Sequence, residues 1–455
     1  MQISKKKLIL FILSFSLFVV VFLTLNEAIN FAMKPYEGSS ERIWKDFYCE
    51  QNIDMVYLGS SIGNRAYDPD VVDSYTGLKS FNLSSNSQSL IASYWGLERA
   101  IKTNPVKYVI LNIDYSSLRK YEILNAKVSY VQALSQYDNL LSRLLHFSTL
   151  ARECGLKKKE SVNIFFPWIY NHVPLKRKTI TANIRKKLDA NYASDHPGSD
   201  DFLDRGHFVP RNGEYESVDL DKKAGTNSTS YYKINNPEKV VSQDHYKNFD
   251  KIISLCRDNH VQLIVTFAPR PAFDTLSLGN SYFEINDFLR RYFKKQGIPF
   301  FDFNMLRKDF WTNDDKYYYD FEHMNQYGAE SYSAAFARFF NMLEAGENVA
   351  PLFYSPEEYL ASIDYIGGVL FQADKKNDSV SIHISSYQGT GVHPEYEVQL
   401  FDNESKGYIT LRDFSTESEY EFRPAQKGKY KIRINARRVG STVPYERYCE
   451  KSIDF

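Results

Sequence analysis

Residues 54–69 read DMVYLGSSIGNRAYDP, an apolar run broken abruptly by a glycine and two serines. Met55, Val56, Tyr57 and Leu58 suit a short strand covered on both faces. Gly59 lets the chain turn sharply. Ser60 and Ser61 then stand at the strand's carboxyl end, where ligands of parallel α/β sheets bind. Similar runs recur at 80–83, 106–113, 261–267 and 298–303. Helix-period stretches lie among them, at 90–103, 237–259, 282–296 and 326–343. Strand alternating with helix from about 53 to 340 predicts an α/β unit whose parallel sheet is covered by helices on both sides.

That rhythm stops at both ends and once in the middle. Lys5, Lys6 and Lys7 precede an uncharged run from 8 to 25, 18 residues long. This approaches the length of a membrane-crossing helix, and lysines before it put the N-terminus in the cytoplasm and the rest of the chain outside. Residues 1–33 therefore read as an uncleaved transmembrane signal anchor of a single-pass plasma-membrane protein. A cleaved signal peptide is the alternative. Residues 34–345 hold the α/β unit, with 115–237 as an inserted cap. A helix is expected there over 137–153, a strongly basic run over 176–187, and turn-rich polar sequence after it. The basic run suits a solvated helix face or attraction to an anionic envelope polymer. Residues 346–455 form a linker and an all-β segment. Strand-like runs at 379–385, 395–401, 407–411, 418–422 and 428–437, with glycine turns between, predict an immunoglobulin-like sandwich.

Composition narrows the chemistry. The 455 residues carry 56 Lys+Arg and 56 Asp+Glu, so no basic excess points to nucleic acid. Cys49, Cys154, Cys256 and Cys449 form no CxxC pair or zinc spacing, and Cys256 reads as a buried free thiol. Phosphate-cradling glycine loops, dinucleotide fingerprints and H-E-x-x-H are missing, so neither a cofactor nor a metal is expected.

A hydroxyl at the end of a strand needs a base to become a nucleophile. The stretch 317–336, YYYDFEHMNQYGAESYSAAF, supplies one just before the last amphipathic helix. Asp320 and His323, three apart in a turn, can present carboxylate and imidazole together. The carboxylate then sets the ring's tautomer while the other nitrogen faces a serine. Separately, each has a plainer role: Asp320 as a helix cap, His323 as a loop histidine.

Taken together, a strand-end serine and D-x-x-H-x-N-x-x-G before the last helix resemble the SGNH (GDSL-like) hydrolase superfamily, over about residues 53–345. The resemblance implies a flavodoxin-like three-layer fold, with Ser61 as nucleophile, His323 as general base and Asp320 as its partner. Asn325 and Gly328 match the tail of the block. The family's G-D-S is Gly59-Ser60-Ser61 here. The glycine expected after the second strand is missing from 81–88, leaving backbone N–H groups between Ser84 and Ser87 as candidate oxyanion donors. Asn112, in Leu111-Asn112-Ile113-Asp114, is the other candidate. The anchor and long insertion are similar to the bacterial cell-envelope acyl-transfer branch, of the D-alanyl transfer and polysaccharide O-acetyltransferase type. That similarity implies an acyltransferase or esterase acting on O-acyl, chiefly O-acetyl, groups of an envelope polysaccharide or teichoic-acid-like polymer. A membrane-bound O-acyltransferase would be its partner. The alternative is a catalytically inactive envelope scaffold or glycan-binding protein.

Overall fold

The computed structural model describes residues 5–33, 39–114, 118, 176–189, 202–209, 243–272, 275–276, 280–320, 322–375, 378–424 and 427–454. Most of the expected cap at 115–237, including the helix expected over 137–153, lies outside them, as does Cys154. The first elements are α1 (Lys5–Met33), α2 (Ser39–Cys49), β1 (Met55–Leu58), α3 (Ser61–Ala66), α4 (Pro69–Thr76), β2 (Ser80–Asn82), α5 (Leu90–Thr103) and β3 (Tyr108–Asn112). Then come α6 (Arg177–Leu188), β4 (Phe202–Asp204), β5 (His207–Val209), α7 (Gln243–Asp258), β6 (Gln262–Phe267), α8 (Asn280–Lys295), β7 (Phe300–Asp302) and α9 (Gln326–Glu344).

β1, β2, β3, β6 and β7 form one parallel sheet in the order β2-β1-β3-β6-β7. The strand alternation decides which residues face which layer. Val56, Leu58, Val109, Leu111, Leu263 and Val265 pack with Leu97 of α5, Ile252 of α7 and Phe293 of α8. Met55, Tyr57, Ile110 and Ile264 face the other way, onto Ala66, Val72 and Tyr332, Phe336 and Phe340 of α9. A sheet buried on both faces explains why its strands are continuously apolar. The strand order reverses between β1 and β3, and the crevice at such a switch point is where open α/β sheets bind ligands.

Gly59 is required for a reason other than a turn. Its φ is not positive, but an added Cβ would lie 2.6 Å from Asn112 O, the last carbonyl of β3. Side-chain volume there would push β1 and β3 apart at the crevice.

The β4–β5 hairpin is the described part of the 115–237 insertion that lies against the sheet. Asn82 N donates to Arg205 O at 2.9 Å. Gly206, at φ 84°, sits so close that a Cβ would be 2.0 Å from Asn82 O. Arg205 pairs with Asp70 and Asp73.

After α9, the chain forms α10 (Pro356–Ser362), β8 (Ile366–Lys375), β9 (Val380–Gln388), β10 (Pro394–Asp402), β11 (Gly407–Ser415), β12 (Glu419–Phe422), β13 (Lys429–Arg438) and β14 (Arg447–Asp454). These strands make antiparallel sheets of four, β11-β10-β13-β14, and three, β12-β9-β8. Ile366, Phe371, Ile382, Val398, Ile432 and Ile434 fill one shared core. Five of these strands match the runs expected; β8 and β14 are additional. β8 starts with Ile366-Gly367-Gly368, and glycines argue against a strand from sequence alone. Its burial nevertheless reaches six consecutive residues.

α1 is the one described helix long and apolar enough to cross a membrane. Its buried residues are Asn26, Asn30 and Met33, all beyond the apolar run. Cys256 and Cys449 are buried free thiols and Cys49 is exposed; burial pushes the Cys256 thiol up to about 12.

Candidate active site

Ser61 is the first residue of α3. Ser60, the N-cap, accepts from Ile62 N at 3.3 Å. The Ser60 hydroxyl donates to Asp114 Oδ2 at 2.6 Å, tying the turn after β1 to the chain leaving β3. Ser61 is half-buried, and its N–H, at the first helical position, has no acceptor within the helix.

The partner loop is built by Asp320. Its Oδ1 accepts from Glu322 N at 2.8 Å and His323 N at 2.7 Å, which folds the residues after it back on themselves. Tyr319 N donates to His323 O at 3.1 Å, and Tyr318 pairs with Met324 across the turn. Asn325 then caps α9 by accepting from Gly328 N, and it donates to Lys316 O, each at 2.8 Å. Gly328 lets the first turn of α9 approach Tyr317 O, which a Cβ would meet at 2.3 Å. D-x-x-H-x-N-x-x-G is thus a compact loop-and-cap unit as well as a set of chemical groups.

In this loop His323 Nδ1 lies 2.8 Å from Asp320 Oδ2, and His323 Nε2 lies 2.8 Å from Ser61 Oγ. Ser61 and His323, 262 positions apart in sequence, meet above the carboxyl end of the sheet. Burial pushes the Asp320 carboxyl up. The hydrogen bond and charge of His323 and the two backbone N–H groups outweigh it, so the net shift is downward. The carboxylate is therefore the form present near neutrality, the form that holds a proton on Nδ1 and leaves Nε2 to accept one. His323 keeps 18% of its side chain exposed, so the group is reachable from solvent.

No protein-family model matches this sequence, and comparison with curated proteins finds no significant match. Among solved structures, one match is a proposed acylhydrolase from Bacteroides fragilis. It is 11% identical, with a TM-score of 0.31, over 66% of this chain and 95% of that one. Superposition at that level carries no argument about this chain.

The expected oxyanion donors fare unequally. Ser84 N is spent on Asn82 Oδ1 at 3.0 Å and Ser85 N on Gly59 O at 3.1 Å, so neither backbone group is available. Ser87 lies exposed in a turn with φ 53°. Asn112 is different. Its Oδ1 accepts from Ala268 N at 2.7 Å, which fixes the amide, while its Nδ2 is buried with no protein acceptor. Nδ2 lies 3.3 Å, and the Ser84 hydroxyl 3.2 Å, from where a Cβ on Gly63 would be.

Several residues that hold the arrangement carry no local sequence signal. Asn82 Nδ2 donates to the carbonyls of Gly63, Asn64 and Tyr67, anchoring both ends of the α3 turn. His207 is 1% exposed and joins Asn64 O at 2.7 Å to Gln326 Oε1 at 3.0 Å. It thereby links α3, which begins with Ser61, to α9, which follows His323. The Arg65 guanidinium lies 5.3 Å over the Tyr319 ring, which stacks on the His323 imidazole at 5.8 Å. Buried Arg270 reaches Glu322 Oε1 at 3.2 Å, beside the histidine. Among the described residues, no group of three or more His, Cys, Asp or Glu is arranged to hold a metal ion.

Proposed function

We propose that this chain is a serine-dependent acyl hydrolase or acyltransferase of the SGNH type, with Ser61 as nucleophile, His323 as general base and Asp320 as the orienting carboxylate. The observation that carries the proposal is the imidazole bridging Ser61 Oγ and Asp320 Oδ2 at 2.8 Å on each side. The five-stranded order with Ser61 at the switch point is further support.

In the first half-reaction Ser61 Oγ attacks an ester carbonyl as Nε2 takes its proton. The tetrahedral intermediate collapses, the C–O bond to the leaving alkoxide breaks, and the imidazolium returns the proton to that oxygen. In the second, a hydroxyl or water gives its proton to Nε2, attacks the acyl-Ser61 carbonyl and displaces Oγ, which recovers the proton. Asn112 Nδ2 and Ser61 N are the donors best suited to the oxyanion, since neither has an acceptor assigned by the fold.

We place this chemistry outside the cytoplasm, on O-acyl groups of an envelope polysaccharide or related polymer. α1 would serve as the anchor and a membrane-bound O-acyltransferase as acyl supplier. Support for that setting is the lysine-flanked apolar helix and the resemblance to the cell-envelope acyl-transfer branch. The spent N–H groups of Ser84 and Ser85 favour the second reading, an inactive scaffold.

One experiment separates the two. The purified full chain is offered an aryl acetate beside Ser61→Ala. Turnover lost in the variant supports catalysis; equal turnover by both, or none by either, supports the scaffold.

A further inference from the structure

We infer that α6 is a headgroup-binding helix that lays a basic face on anionic phospholipid beside the point where α1 leaves the bilayer. The inference rests on reading α1 as a membrane span and goes beyond the chemistry of Ser61. Two faces of α6 differ. Ile180, Asn183, Ile184 and Lys187 recur at helical spacing and are half-buried. Lys187 Nζ donates to Phe31 O at 2.6 Å and lies 5.2 Å over the Phe31 ring, docking this face on the end of α1. On the opposite side Arg177, Lys178, Thr181, Ala182, Arg185 and Lys186 line one open trough, with Asp189 as its one acidic residue. Arg177, Lys178 and Arg185 are exposed and Lys186 is half-buried, and α6 fully buries no residue.

Helix geometry sets the depth. The apolar run ends at Leu25, and the first fully buried residue of α1 is Asn26, on a stripe whose partial burial starts at Val19. Phe31 is six residues further on, so at 1.5 Å per residue it stands roughly 9 Å beyond the hydrocarbon edge. The headgroup layer is roughly 5–8 Å deep on each side of a bilayer. Lys187, bonded to Phe31, is therefore held at the outer rim of that layer. Arg177, Lys178, Arg185 and Lys186, against the single carboxylate of Asp189, give the helix docked there a net positive face that matches phosphate-bearing headgroups in sign. Leu188, 72% exposed at the end of the helix, is an apolar side chain at the same level.

The test uses the full chain in nanodiscs of phosphatidylcholine alone or with about a third phosphatidylglycerol, with amide hydrogen exchange followed over 176–189. Exchange there should slow on the order of tenfold in the anionic discs and return to the neutral-disc rate in 0.5 M salt. The combined variant Arg177→Gln, Lys178→Gln, Arg185→Gln and Lys186→Gln keeps Lys187. It should exchange alike in both discs, with residues 243–258 unchanged as the control for folding. Equal exchange of the unaltered chain in both discs overturns the inference while leaving the span intact. Protection of the helix by soluble polyphosphate, but not by lipid, overturns it equally. A chain that does not enter the discs removes the span and the inference with it; Ser61 chemistry stands or falls separately, on the ester assay.

Discussion

Asp320→Asn is the substitution whose consequence follows most directly from the geometry. Asp320 Oδ1 accepts from Glu322 N and His323 N, and Oδ2 faces His323 Nδ1. An asparagine has one oxygen for these two places. If its NH2 faced the backbone, donor would meet donor twice, so the oxygen stays there and the NH2 turns to the ring. Nδ1 must then accept, the proton moves to Nε2, and the ring donates to Ser61 instead of taking its proton. Loop geometry is preserved; the tautomer is inverted. In Ser-His-Asp triads that inversion costs about 10⁴ in kcat, or ~5.5 kcal/mol of transition-state stabilisation. The expected result is therefore a loss of 10³–10⁴ in kcat/KM on an aryl acetate, with a melting temperature within a few degrees of the unaltered chain. Retention of more than a tenth of the activity by a folded Asp320→Asn protein would refute the role assigned to the carboxylate.

Further outcomes follow from other parts of the molecule. Asn112→Ala should lower kcat by about 10²–10³ with little change in KM, because it removes a donor needed mainly in the transition state; steady-state kinetics on the same ester checks this. Gly206→Ala, at φ 84° and facing Asn82 O, should cost at least about 2 kcal/mol, read from denaturant unfolding. Asp315 gives a pH signature. Burial, then Asp314, raises its carboxyl to about 6. The folded state thus holds a proton that the unfolded state releases near 4. Stability from this group is fully present below about 4 and is lost as pH rises through about 6. The full shift would amount to about 3 kcal/mol, but 47% of the side chain is exposed, and screening reduces this to roughly 1. Arg447, 3.6 Å from Asp315 Oδ2, offsets part of that loss, so Asp315→Asn should raise the unfolding midpoint only slightly above that of the unaltered chain at pH 7.5 and match it at pH 4.

The chain's own sequence carried the site where chemistry and local geometry coincide. Strand, glycine and serine at 55–61 became β1, a tight approach to β3 and the first residue of α3. Asp320, His323, Asn325 and Gly328 lie within one loop and cap, so their spacing alone constrains them. The helix expected over 90–103 is α5, residue for residue, because Ser89 caps it by accepting from Ala92 N and Asn104 ends it. Legibility fails where partners are remote. Nothing near Ser85 reveals that the distant Gly59 O accepts its N–H, whereas Asn82, two residues before Ser84, captures that N–H by a local turn bond. His207 lies 143 positions from Asn64 and 119 from Gln326, so its bridging place exists only in three dimensions. β8 and β14 carry weak strand signals, because the former has two glycines right after Ile366 and the latter mixes charged and apolar residues on a partly exposed strand.

The central claim is that the Ser61 hydroxyl is a nucleophile activated by His323. Its most direct test is treatment of the full chain with a fluorophosphonate, followed by mass mapping of the peptide spanning 55–66. A single stoichiometric adduct on Ser61, lost in His323→Ala, is the predicted result. An unmodified Ser61 in the folded chain, or labelling that persists undiminished without the histidine, would contradict it.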